Sequence, residues 1–187
     1  MRILVLFAIV LAVWLVLRRR SVAGSAPHAD LTNEQIKRKW RELGFFCELD
    51  DQKRSWILTG SRTGLLSFRD LLLKYVADPR NEPKGEVRQY GPYGSLELMT
   101  WPDPGFDGHV IRGSFADLTR LAGLVETKVR AAKPGSQVRI REEYSTDSPY
   151  ALVLDVRADG FDPAFADRAS LGGATVPEPP DTSRKGK

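Results

Sequence analysis

Two carboxylates and an imidazole fall close together in the segment Asp103-Pro104-Gly105-Phe106-Asp107-Gly108-His109. Gathered in a cleft, such groups can ligate a metal or pass protons. Asp and Gly are also ordinary turn residues, and Pro-Gly cannot continue a strand. No second ligand cluster stands elsewhere in the chain. A small enzyme or metal-binding protein using Asp103, Asp107 and His109 is therefore kept as the alternative reading. His109 reads more simply as a strand-start histidine bonded locally. The lone cysteine, Cys47, excludes an intrachain disulfide and the usual multi-cysteine zinc clusters. Its aromatic and apolar neighbours point to a buried, inert thiol. Gly60-Ser61-Arg62-Thr63-Gly64 lacks the Gly-Lys-Ser/Thr ending of a phosphate loop, and a strand-to-helix turn explains it. Glu142, Glu143 and Asp147 beside Arg139 and Arg141 read as a solvated strand face, and His28 as incidental.

No catalytic residue, cofactor or metal site is assigned, and the chain reads as non-enzymatic. The aromatics Tyr90, Tyr93, Trp101 and Phe106 gather around loops together with Asp107 and His109. Aromatics on loops serve as interface anchors or pack beneath the loop. These six residues are the candidate partner-binding set.

The elements that must position them centre on residues 90–129. Ser95–Trp101 alternates, with Leu96, Leu98 and Thr100 on one side and Glu97, Met99 and Trp101 on the other, as in a half-buried strand. His109–Arg112 is expected as a second strand, hairpinned to the first through the long loop. Ser114 with Asp117 three residues on makes an acidic capping box. It opens a helix carrying Leu118, Leu121, Ala122, Val125 and Val129 on one face. Lys133-Pro134-Gly135 ends that helix.

Earlier in the chain, Thr32 or Asn33 caps a helix over Glu34–Leu43, and Gly44 stops it. Phe45–Leu49 and Ser55–Thr59 read as a hairpin. A helix follows the 60–64 turn with Leu65, Phe68, Leu72, Tyr75 and Val76 inward, ending at Asp78-Pro79. Residues 78–94 read as a surface connection. Later, Val138, Ile140 and Glu142 alternate as an edge strand. Tyr150–Val156 is apolar enough to be central, and Phe161 and Phe165 pack back on it.

The expected fold class is α+β, a two-layer sandwich with a mainly antiparallel sheet and two amphipathic helices on one face. This is a ferredoxin-like β-α-β-β-α-β-β variant, preceded by an N-terminal transmembrane helix. No internal repeat is evident, although the two strand–helix units are broadly alike. The divisions are a membrane anchor with basic flank (1–20), a linker (21–30), a helix and strand (31–54), an α/β domain (55–170) and a disordered tail (171–187).

Ile3–Leu17 is an unbroken apolar run followed by Arg18, Arg19 and Arg20. Such a helix spans roughly 22 Å against about 30 Å of hydrocarbon, a gap that snorkelling and thinning narrow. A cleaved signal peptide leading to secretion is the alternative, but three arginines occupy the place of its neutral cleavage region. The positive charge following the span puts the domain on the cytoplasmic side of the cell membrane, single-pass. The net charge of +4 belongs to residues 1–43, which carry +5, while the rest carries −1. A basic neck without a basic domain argues against a nucleic-acid partner.

Four stretches resemble the bacterial immunity protein 32 family: LTGSRTGLLSFRDLLLKY at 58–75, YGPYGSLELMTW at 90–101, DGHVIRGSFADLTRLAGLVETKV at 107–129 and REEYSTDSPYALVLDVRADGFDP at 141–163. The resemblance implies a small α/β domain that binds and blocks a polymorphic toxin. It brings no catalytic residue, and the N-terminal anchor departs from the family pattern.

Overall fold

The computed structural model describes residues 31–82 and 84–168. The expected span Ile3–Leu17 with Arg18–Arg20 and the expected disordered tail lie outside the described residues. Among the described residues, no helix is long and apolar enough to cross a membrane.

Thr32 opens the first helix, α1 (Asn33–Leu43), through a reciprocal capping box with Gln35, and Gly44 closes it in the left-handed conformation. Trp40 and Ile36 form its buried stripe. The Trp40 indole N–H donates to Asp167 Oδ2 at 2.8 Å, and Arg41 pairs with Asp162 at 2.8 Å. These contacts tie α1 to the last described turn, Pro163–Phe165 and the residues after it. Pro163 and Ala164 provide its buried part, whereas Phe165 is 64% exposed. The expected inward packing of Phe165 is thus corrected: the Asp162-capped turn directs that side chain outward.

Next come β1 (Phe46–Asp50) and β2 (Ser55–Ser61), an antiparallel hairpin as expected. Helix α2 (Arg62–Ala77) starts earlier than the glycine-rich turn suggested, because Ser61 itself caps it by accepting from the Gly64 N–H. Residues 78–94 are more than a surface connection: they include β3 (Val87–Tyr90), flanked by short 3-10 turns. Then follow β4 (Leu96–Thr100), β5 (Gly105–Phe106), β6 (Ile111–Gly113), α3 (Phe115–Ala131), β7 (Gln137–Ile140) and β8 (Ala151–Arg157).

The fold is α+β, with three helices among the described residues and two mixed four-stranded sheets rather than the single mainly antiparallel sheet expected. Sheet A runs β1-β2-β8-β7 and sheet B runs β3-β4-β6-β5. Each has a parallel central pair, β2 with β8 and β4 with β6, and antiparallel outer pairs. The expected hairpin between β4 and the 109–112 strand is corrected here. The loop after β4 crosses over and pairs its own short strand, β5, with β6, which leaves β4 and β6 parallel.

The same order occurs twice. The chain β1-β2-α2-β3-β4 is matched by β5-β6-α3-β7-β8, and each sheet takes the first hairpin of one unit and the second hairpin of the other. The two strand–helix units, expected to be broadly alike, thus share one topology. Helices α2 and α3 pack on one another. Phe45, Leu58, Leu65, Phe68, Leu72, Leu98, Ile111, Leu121 and Leu154 are all fully buried in the core. Each such side chain stabilises by about 1.5–3 kcal/mol, which makes this packing the main source of folding energy.

Candidate functional site

Alternation in β4 decides which side chains are presented. Leu96, Leu98 and Thr100 are buried toward the helices. Glu97 and Met99 therefore face the opposite side, as does Trp101 immediately after the strand. The register sets a row across the outer face of sheet B, Val87–Met99–Arg112–Gly105. Val87 is 42% and Trp101 37% exposed, so two large apolar groups flank Met99 in reach of solvent. A Cβ on Gly85 would lie 3.7 Å from the Trp101 ring, so glycine there leaves the indole uncovered. Gln89 and Glu97, joined by a 2.7 Å hydrogen bond, form a polar border.

Arg112 lies across Gly105, where a Cβ would come within 3.3 Å of its guanidinium. Its Nε is 3.5 Å from Asp107 Oδ2 and is buried with no hydrogen-bond partner. Asp107 Oδ1 accepts from the His109 and Val110 N–H groups, both at 2.9 Å. Asp107 thus clasps its own loop and holds the arginine at the same time.

The sequence-expected residues separate here. Trp101 stays on the exposed face, and His109 is exposed at the loop. Phe106 does not: it is fully buried and stacks at 4.9 Å from Tyr144, so it anchors the loop from beneath. Tyr90 is half-buried, and Tyr93 is 48% exposed on the turn after β3 with a positive φ of 59°. Tyr93 precedes β4 and Trp101 follows it, so they occupy opposite ends of that strand. Val87, Met99 and Arg112 were not singled out from the sequence. Their signal was the outward half of β4, readable once β3 and β6 were known to flank it.

Asp103 lines a cleft of about 540 Å³ with Arg112, Arg120, Tyr144 and Ser148, and neither Asp107 nor His109 lines it. Among the described residues no three His, Cys, Asp or Glu side chains group as a metal site. Burial pushes the Cys47 thiol up, and its Sγ lies 3.6 Å from the Ser95 carbonyl. Burial likewise pushes up the Tyr144 phenol, which donates to the Arg112 carbonyl at 2.7 Å. Both groups are held neutral in structural roles.

No family model, curated protein or solved structure matches the chain.

Proposed function

We propose that the chain is a non-catalytic protein-binding domain that grips its partner with the outer face of sheet B. In this reading Ile3–Leu17 and Arg18–Arg20 hold it at the membrane, with the domain on the cytoplasmic side. The observation that carries the proposal is the exposed Trp101, flanked by Val87 and Met99 and bordered by Gln89, Glu97 and Arg112. An aromatic anchor within a polar rim is the usual make-up of an interface hot spot. The resemblance to immunity protein 32 supplies the class of partner, a toxin that the domain occludes.

The test compares membranes holding the full chain with membranes holding Trp101→Asp. Burying a charge at a hot spot weakens binding by roughly 2 kcal/mol or more, about thirtyfold. The native chain should retain one specific protein that Trp101→Asp releases. Expressed alone, that protein should halt growth, and the native chain should relieve the arrest. Equal retention by both chains overturns the binding face. A retained protein harmless to growth overturns the toxin.

A further inference from the structure

We propose that two copies of this chain pair edge to edge through β3, antiparallel about Val87, making sheet B continuous across the dimer. Each sheet has two edges. At the β5 edge the Tyr150 N–H donates to the Phe106 carbonyl at 3.3 Å, and along the β1 edge self-pairing about Leu49 would set Glu48 against a second copy's Asp50. The remaining edges are β3 and β7, which hold equivalent places in the two matched units. Among the described residues no backbone hydrogen bond joins β3 to any strand besides β4. Open edges invite pairing, and proteins guard them with charge.

The two edges differ in what self-pairing would bring together. Along β7 the outward residues are Gln137 and Arg139, followed by Arg141, so a second copy would add arginine to arginine or to an amide. Along β3 the order is Glu86-Val87-Arg88. Antiparallel pairing about Val87 sets Arg88 opposite the partner's Glu86, and does so twice by symmetry. Glu86 and Arg88 share the helix-side face, as their spacing of two requires, and their charged groups already lie 3.1 Å apart within one chain. Val87 meets its symmetry mate on the opposite face, where Met99 and Trp101 lie. One pairing therefore matches charge on one face and covers an exposed valine on the other. It also joins the two apolar patches. This goes beyond the proposed partner binding: it shares Val87 with that face but rests on the β3 edge and its charges, not on Trp101.

The experiment uses the full chain in membranes, with Cys47 buried and unreactive. Val87→Cys should give a disulfide-linked dimer under mild oxidation, well above a Gln137→Cys control on the β7 edge. Adding Glu86→Arg places two like-charged pairs across the junction and should cut crosslinking on the order of fivefold, as should Arg88→Glu. Co-producing the Glu86→Arg and Arg88→Glu chains, each with Val87→Cys, should restore a mixed dimer, since every cross-strand pair is again opposite in charge. This rescue separates lost pairing from lost folding. Crosslinking no better than the β7 control, crosslinking indifferent to the charge changes, or crosslinking of Val87→Cys to a different protein would each overturn the dimer. The Trp101→Asp test reads retention of another protein and is scored apart from these results.

Discussion

Two glycines in the helices show how differently the same residue type is used. Gly64 lies in the first turn of α2, where a Cβ would collide with the Gly44 carbonyl oxygen. That oxygen is backbone and cannot rotate aside, so Gly64→Ala must push α2 away from the end of α1. Overpacking of this kind costs about 1–3 kcal/mol, more than the gain of up to about 1 kcal/mol from helix propensity. Gly123 lies on the exposed side of α3, and beyond its chain neighbours and the helix's own backbone nothing comes within 4 Å of its would-be Cβ. Gly123→Ala should therefore stabilise by about 0.5–1 kcal/mol. Urea unfolding of both variants should move the midpoint in opposite directions. A Gly64→Ala chain at least as stable as the native one would contradict the tight approach of α2 to Gly44. Asp107 makes a related point about site residues. Its two oxygens close a loop and hold Arg112, so its place near an imidazole in the sequence reflects turn chemistry.

At the scale of the element, helix α3 was the most legible part of the chain, because its signals are local. Ser114 Oγ accepts from the Asp117 N–H at 3.1 Å and lies 2.6 Å from Asp117 Oδ2, which also accepts from the Ser114 N–H. Ser114→Ala should lower stability by about 1 kcal/mol by urea titration. Burial raises the Asp117 carboxyl, but hydrogen bonds from Ser114 and Arg120 outweigh it and leave the group below the usual range. A depressed native pKa means the stabilisation is present above the unfolded value and is lost as pH falls through the native one. Asp117→Asn should thus weaken the protein near neutrality, and the gap from the native chain should close as pH drops below about 4. A gap that widened in acid would reverse the sign argued here. β4 was equally legible, since Leu96, Leu98 and Thr100 are buried as alternation predicts. The strands that were missed carry no such signal. β3 holds only Val87 and Tyr90 as apolar residues, and β5 is two residues long. Their pairing comes from tertiary neighbours, and the candidate face was hidden with them.

At the scale of the molecule, the feature that composition and periodicity could not reveal is the exchange of hairpins between two like units. The parallel pairing of β2 with β8 joins strands at opposite ends of the described fold. The pairing of β4 with β6 likewise joins the end of one unit to the start of the next. Neither sheet can be built from one half of the chain. Residues 31–103 hold β1, β2, β3 and β4 but only the outer hairpin of each sheet, with every parallel pair missing. Residues 104–168 are in the same position. Helices α2 and α3 also lose each other, along with the Arg69–Glu126 ion pair at 2.9 Å and the Tyr75–Phe115 ring contact at 6.3 Å. Isolated two-stranded hairpins are marginal in water, and a helix that has lost its packing partner is not much better. Each fragment alone should therefore be largely unfolded by near-ultraviolet circular dichroism. An equimolar mixture should regain the signal of the intact 31–168 chain, because the only cut lies in the exposed stretch at Pro102 and Asp103. If either fragment folded alone with a cooperative transition, the halves would be independent domains and the exchanged sheets could not be what holds the fold together.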